Sequence, residues 1–160
     1  MSYVVSGLPA EPFQGLAGLD DAALATRQAR RVIAGAEGRY PCRITLEDAP
    51  AGEALLLVNY RHQDADTPYR SDYAIYVREG ALEQAGTVRR FAGELPPVLK
   101  DRAVALRAFA PDGMLLGAEL VAAGADLEAA IERGLGQADV AYLHAHNAAY
   151  GCFAARIDRG

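Results

Sequence analysis

Residues 140–157 constrain the fold more than any other stretch, because polar and apolar side chains alternate there on both sides of Gly151. Alternation with a period of two indicates β-strands, and glycine readily adopts the positive φ that a tight turn requires. The stretch is therefore predicted to form a β-hairpin whose loop spans residues 147–151. The register that best separates polar from apolar side chains places His146 opposite Cys152.

This register predicts a hairpin with one polar face and one apolar face. The polar face carries Tyr142, His144, His146, Cys152 and Arg156. The apolar face carries Ala141, Leu143, Ala145, Phe153, Ala155 and Ile157. A slip by one residue would mix the two sets, so the hydrophobic pattern itself favours this pairing. The polar face is consequently the first candidate site.

Other apolar runs predict further strands in antiparallel pairs. Residues 54–60 are apolar on both faces, as in a central strand, and residues 73–77 form a second strand. The tripeptide Pro-Asp-Gly at 111–113 indicates a hairpin turn between residues 104–109 and 114–121.

Short helices and an edge strand complete the predicted fold. Residues 3–6 alternate weakly, as in a short edge strand. One helix begins at Asp20 or Asp21, and residues 31–34 either extend it or form a separate strand. A second helix begins at the N-cap Asp126. We therefore predict an α+β fold in a single domain, with a mainly antiparallel β-sheet, two or three short helices and a C-terminal β-hairpin.

Composition narrows the expected partners and location. The 160 residues suffice for one domain, predicted to span 1–160, and the net charge of −5 argues against nucleic-acid or anionic-membrane partners. We recognise no signal peptide and no membrane-spanning run, so we expect a cytoplasmic protein. In that reducing compartment Cys42 and Cys152 are expected to be free thiols or metal ligands.

The hairpin suggests cysteine chemistry, with Cys152, His146 and Cys42 as candidate catalytic residues. A neighbouring imidazole favours the thiolate, which is the nucleophilic form of cysteine. Alternatively, His144, His146 and Cys152 could supply three zinc ligands, although the spacing typical of zinc sites is missing. The simplest alternative is a half-exposed sheet face on which Cys152 is a small apolar residue. No motif in the chain implies a cofactor.

Two further segments carry candidate ligand-binding residues. A polar loop at 62–70 follows the predicted central strand, and residues 40–43 place a proline before a thiol and a guanidinium. The candidate ligand-binding residues are Arg43, His62, Tyr69, Arg70, His144 and Asn147. Guanidinium and imidazole groups suit a carboxylate or phosphate. Internal salt bridges to Asp64 and Asp66 explain the composition of the loop equally well.

Several short motifs together resemble one bacterial family. They are Tyr40-Pro41-Cys42-Arg43, Ala51-Gly52-Glu53 before Leu55-Leu56-Leu57, Thr67-Pro68-Tyr69-Arg70, Ala74-Ile75-Tyr76-Val77, His144-x-His146-Asn147 and Gly151-Cys152-Phe153. In this order they resemble the bacterial domain-of-unknown-function family 1203, from about Tyr3 to Arg159.

The resemblance implies no activity, because no function is assigned to that family. It does imply that Cys42, Arg43, Tyr69, Arg70, Asn147, Gly151 and Cys152 occupy family-pattern positions. It therefore gives more weight to Asn147, Gly151 and Cys152 than to the two histidines of the hairpin.

These observations lead to two hypotheses about function. The first is a small-molecule binding protein or small enzyme that takes an anionic ligand in a pocket of Cys, His, Arg and Tyr side chains. The alternative is a non-catalytic interaction or regulatory domain that acts as a homodimer.

Overall fold

The computed structural model describes residues 2–84 and 86–160, which form strands, short α-helices and two 3-10 helices. The strands are β1 (Tyr3–Ser6), β2 (Ala29–Ile33), β3 (Ala54–Gln63), β4 (Ser71–Arg78), β5 (Arg90–Ala92), β6 (Val104–Phe109), β7 (Leu115–Val121), β8 (Tyr142–Asn147) and β9 (Phe153–Arg159). The α-helices are α1 (Asp21–Ala25), α2 (Pro97–Lys100) and α3 (Leu127–Leu135), and the 3-10 helices span Glu11–Leu16 and Glu79–Glu83.

The strands build two antiparallel sheets. Six strands follow the order β5-β1-β9-β8-β6-β7, and three follow the order β2-β3-β4. Neighbouring strands in both sheets run antiparallel, and β8 and β9 form the C-terminal hairpin. The predicted α+β class is therefore confirmed. The extent of the domain, residues 1–160, stays a prediction.

Hydrophobic cores cover the two faces of the six-stranded sheet. On one face, Leu127, Ile131 and Leu135 of α3 pack against strand residues such as Leu143 and Ile157. On the other face, Phe153 packs against apolar residues of the three-stranded sheet, among them Leu56, Val58, Ile75 and Val77. Leu143 and Ala145 of β8 belong to the first core, while His144 and His146 contact Phe153 on the other face, so β8 is buried on both faces.

The local signals for caps and turns are confirmed. The Asp20 carboxylate accepts the N–H of Ala23 at 2.8 Å, and the Asp126 carboxylate accepts that of Ala129 at 2.9 Å. Gly113, in the turn between β6 and β7, has a φ of +85°. These features depend on neighbours within a few residues, which is why the sequence predicts them well.

Two predicted elements differ in the structure. Tyr3–Ser6 is an inner strand, paired with both β5 and β9, and the prediction of an edge strand is wrong. Weak alternation does not report how many neighbours a strand has. His62 lies on β3 and outside the loop, because the strand continues with alternating exposure through Gln63, which pairs with Ser71.

Among the described residues, the helices are all too short or too polar to cross a membrane.

Candidate functional site

The terminal hairpin forms, but with a different register from the predicted one. His144 lies opposite Arg156 and His146 lies opposite Phe153, with a register shift that leaves Ala154 as an extra residue in β9. The predicted pairing of His146 with Cys152 is therefore wrong. A β-bulge of this kind lets both strands keep an apolar face, so the hydrophobic pattern alone could not reveal it.

Beside the tip of the hairpin lies a cavity of about 700 Å³. One wall consists of the aromatic and apolar side chains of Leu57, Tyr73 and Tyr76, and another consists of the hairpin loop from Asn147 to Tyr150. The polar side chains lining the cavity are Arg39, Arg43, Asp101, Arg102, Asn147 and Cys152. The structure thus brings together two of the three predicted segments, residues 40–43 and the hairpin.

Arg43 lines the cavity and is only 2% exposed. Its Nε donates to the carbonyl oxygen of Phe153 at 2.7 Å, and its Nη1 donates to that of Pro41 at 2.5 Å. Its Nη2 lies 3.1 Å from Cys152 Sγ. Burial lowers the pKa of Arg43, and the nearby Cys152 sulfur opposes that effect. The described residues place no carboxylate within 4.0 Å of this guanidinium.

A tight turn holds Arg43 in this position. The N–H of Arg43 donates to the carbonyl oxygen of Tyr76 at 3.0 Å, which ties the segment to β4. The N–H of Cys42 donates to the carbonyl oxygen of Glu47 at 2.9 Å, and Leu46 has a φ of +58°. A leucine at positive φ is uncommon and shows that the surrounding contacts constrain the turn.

Cys152 is partly exposed and lies on the cavity wall. Its Sγ accepts hydrogen bonds from Arg43 Nη2 at 3.1 Å and from Asn147 Nδ2 at 3.3 Å. Asn147 is only 9% exposed, and its Oδ1 is buried without a partner among the described residues. Two donors, one of them charged, therefore converge on one sulfur.

Arginine side chains outnumber carboxylates among the described residues that line the cavity. Arg39, Arg43 and Arg102 line it, and Asp101 is the single carboxylate among the described lining residues. Arg102 also forms an ion pair with Asp48 at 2.6 Å. The cavity therefore carries local positive charge on a chain whose net charge is −5.

The three histidines form a separate cluster between the two sheets. The ring centroids lie 5.0 Å apart for His62 and His146, 6.2 Å for His144 and His146, and 6.4 Å for His62 and His144. The ring of Phe153 contacts all three imidazoles. The sequence had suggested that His62 and His144 join Arg43 in one site. Neither histidine lines the cavity.

These imidazoles are neutral near pH 7. Burial lowers the pKa of His144 to about 3, and the neighbouring imidazoles and Arg156 add to the effect. Burial also lowers the pKa of His146 to about 4, despite the hydrogen bond of its Nδ1 to the Gly151 carbonyl oxygen at 2.9 Å. The pKa of His62 is lowered mainly by burial and then by Arg107, against Asp72. Because its pKa is low, His146 is a weak proton acceptor and a poor general base for Cys152.

Within residues 2–84 and 86–160, no group of three or more His, Cys, Asp or Glu side chains is arranged to hold a metal ion. The alternative zinc set of His144, His146 and Cys152 is accordingly not assembled. The sulfur of Cys152 contacts Arg43 and Asn147, while the imidazoles face Phe153.

Cys42 is fully buried and does not line the cavity. Its Sγ accepts backbone N–H groups of Ile44, Thr45 and Arg78 at 3.3 to 3.5 Å. The thiol therefore fixes the local turn and is closed to solvent. Of the two thiols, that of Cys152 is the one partly exposed to solvent.

Tyr69 and Arg70 lie outside the cavity, in the loop between β3 and β4. Arg70 contacts Asp64 at 4.0 Å and Asp66 at 3.8 Å, and all three side chains are largely exposed. The loop contacts match the alternative of internal salt bridges.

Sequence reasoning missed Tyr73, Tyr76 and Arg102 as cavity residues. Tyr73 and Tyr76 belong to a strand that was predicted, but nothing in the sequence shows that β4 passes beside the hairpin tip. Arg102 follows a short helix and carries no local signal. Tyr150 was within reach of prediction, because it lies in the hairpin loop itself.

The fold and site define an antiparallel α+β protein with an open cavity whose polar groups converge on one thiol and one buried guanidinium. A model of the family described as "Protein of unknown function (DUF1203)" matches residues 39–159. The match covers well over half of the chain, and the protein belongs to this family. It includes Arg43 and Cys152 and begins later than Tyr3, where the resemblance was expected to start. Searches of curated proteins and of solved structures each found no match.

Proposed function

We propose that the protein binds a small anionic molecule in the cavity beside the hairpin tip. The observation that carries this proposal is the buried guanidinium of Arg43, which has two carbonyl oxygens and one thiol as partners and no carboxylate among the described residues. Burying a charge costs free energy unless an opposite charge lies close to it. A carboxylate of a ligand would supply that charge.

The walls of the cavity favour an apolar or aromatic group on the part of the ligand beyond its carboxylate. Tyr73 and Tyr150 are large aromatic side chains that remain substantially exposed at the cavity. A flat apolar group between such rings would bury their surface, while Arg39 offers a second cation. The volume of about 700 Å³ lies within the range of small-molecule sites. The favoured ligand is therefore a carboxylate with an aromatic or otherwise apolar body.

A matched pair of probes tests the charge requirement. Benzoate and benzamide have nearly the same shape, and only benzoate carries a charge. We expect benzoate to shift the backbone amide NMR signals of Asn147, Ala148 and Ala149 in a saturable way, with an affinity about tenfold above that of benzamide.

Two variants locate the contribution of charge. Arg39→Gln should weaken benzoate binding and leave benzamide unaffected. The matched control Arg61→Gln changes an arginine that is paired with Asp72 outside the cavity, and it should leave both affinities unchanged. Equal affinity for the acid and the amide would contradict the proposal.

The alternative of a homodimeric interaction domain stays a prediction. In the described residues, β5 and β7 form the outer edges of the six-stranded sheet, and β7 exposes Leu116 and Leu120. An exposed strand edge with apolar side chains can pair with a second copy. Sedimentation equilibrium of the wild-type chain and of Leu120→Lys checks this alternative.

A further inference from the structure

We propose that Cys152 is the reactive group of the cavity and undergoes thiol–disulfide exchange with small disulfides that carry carboxylates. This inference rests on the proposed function, because it assigns a chemical role to the same anion-binding cavity. It concerns a specific class of reactant and a covalent step, neither of which equilibrium binding requires.

Two hydrogen-bond donors converge on the sulfur. Arg43 Nη2 at 3.1 Å and Asn147 Nδ2 at 3.3 Å both point at Cys152 Sγ. Before a ligand binds, the thiolate that attacks accepts both hydrogen bonds and supplies the negative charge that Arg43 lacks among the described residues, and a ligand carboxylate supplies that charge when the sulfur is uncharged.

The two sulfurs, of Cys152 and Cys42, differ in their exposure to solvent. Cys152 is partly exposed on the wall of the cavity, whereas Cys42 is completely buried in a backbone turn. A disulfide of small-molecule size can therefore reach Cys152 in the folded chain and cannot reach Cys42.

The exchange balances without any further reactant. The Cys152 thiolate attacks one sulfur of the small disulfide, a bond forms between the two sulfurs, and the original S–S bond breaks. The second half of the disulfide leaves as a thiolate with the bonding electron pair. No net oxidation occurs, because one disulfide replaces another.

The preference for anionic disulfides follows from the charge balance. After attack, the Cys152 sulfur is neutral and the guanidinium of Arg43 again lacks an anion. A carboxylate on the bound half can take that place, and Arg39 stands at the same cavity. Neutral disulfides lack this compensation, so the mixed disulfide that they form should be less favourable.

Two chromogenic disulfides, which release a light-absorbing thiol on reaction, provide the test. Dithiobis(nitrobenzoate) carries a carboxylate on each half, and dithiodipyridine is neutral at the same pH. Stopped-flow absorbance gives the rate constant for each reagent with the folded chain, and the same chain unfolded in urea gives the intrinsic ratio. We expect the ratio of anionic to neutral rate constants to be about tenfold higher in the folded chain.

The variants assign the reaction to its residue. Cys42→Ala should retain the fast reaction, and Cys152→Ser should lose it. Asn147→Ala, which removes one donor to the sulfur, should slow both reagents by a similar factor. Arg39→Gln should slow only the anionic reagent, and Arg61→Gln should slow neither.

The outcomes separate this inference from the proposed function. If Cys152→Ser binds benzoate while the folded wild-type chain shows the same rate ratio as the unfolded chain, the exchange proposal is overturned and the proposed function stands. If the ratio rises as expected while benzoate binds no better than benzamide, exchange is supported and equilibrium anion binding fails. The wild-type measurement needs no variant, so a variant that does not fold cannot obscure the result.

Discussion

Two clusters of polar side chains lie on either side of the same strand end, and they differ in almost every physical respect. His146 is fully buried with His62 and His144 between the two sheets, while its neighbour Asn147 belongs to the open cavity with Cys152. Each imidazole of the histidine cluster has a buried nitrogen with no hydrogen-bond partner in the part of the chain that the structure describes. The thiol cluster directs hydrogen-bond donors at one atom.

The contrast shows that solvent access and donor supply decide what a polar residue can do. The imidazoles have the residue type that catalysis uses most, yet burial keeps them neutral near pH 7. Cysteine is usually an inert buried residue, yet at position 152 it meets a guanidinium, an amide and an open cavity. The side of the hairpin that faces the open cavity is therefore the one whose residue types are less often catalytic.

The largest expected effect that distinguishes the two clusters is a loss of protein stability in acid, caused by the histidine cluster. Because the folded pKa values of His144 and His146 lie below the value near 6.5 of an unfolded chain, protonation favours unfolding. The contribution of neutral His144 and His146 to the free energy of unfolding is fully present above about pH 6.5. It falls as the pH drops towards about 4. We expect a loss of about 4 kcal/mol between neutral pH and about pH 5, measured by urea denaturation.

A variant isolates the imidazole contribution. His144→Phe keeps a ring of similar shape and removes one titrating group, so the dependence of stability on pH in this range should fall by about half. An unchanged slope would mean that the acid sensitivity arises in other groups.

The next effect concerns Arg43, which joins the open cluster to the core. Arg43→Met removes donors to Phe153, Pro41 and Cys152 while keeping an apolar stem of similar length. We expect the free energy of unfolding to fall by about 3 kcal/mol, because buried carbonyl oxygens lose their partner.

Urea denaturation at neutral pH measures this change against Arg61→Met, whose exposed ion pair with Asp72 should contribute little to stability because solvent screens it. A loss as small as that of the control would show that the buried guanidinium is not a structural link between the hairpin and residues 41–43.

The smallest effect is expected at Arg70, which lies outside both clusters. Its contacts with Asp64 and Asp66 are long and exposed, so Arg70→Ala should change the free energy of unfolding by less than about 0.5 kcal/mol. Benzoate affinity, measured by NMR titration, should also stay the same. A clear loss of affinity would place the loop in the binding site and break the assignment of the site to the cavity alone.

Local features of this fold could be predicted because they depend on short-range physics. The caps at Asp20 and Asp126 and the positive φ at Gly151 involve only a few neighbouring residues. The alternation of β8 correctly separates His144 and His146 from Leu143 and Ala145. The burial of both faces could not be predicted, since it depends on α3 covering the face with Leu143 and on a second sheet covering the face that carries the histidines.

Three members of the candidate site were predictable, but its assembly was not. Arg43, Asn147 and Cys152 were all identified as candidates, but the same residue types also pointed to His62, Tyr69 and Arg70. Charged loops and binding sites share a composition, so composition alone could not exclude the exposed loop.

The sequence by itself determined most of the strands, several turns and the antiparallel class, because periodicity and turn chemistry act over a few residues. Only the tertiary structure decided that Arg43 meets Cys152 across 109 positions of the chain. It also decided that a bulge turns His146 towards Phe153 and away from the thiol. The physical reason is that the packing of one sheet on another sets burial, and burial determines which titratable groups keep their charge and their access to ligands.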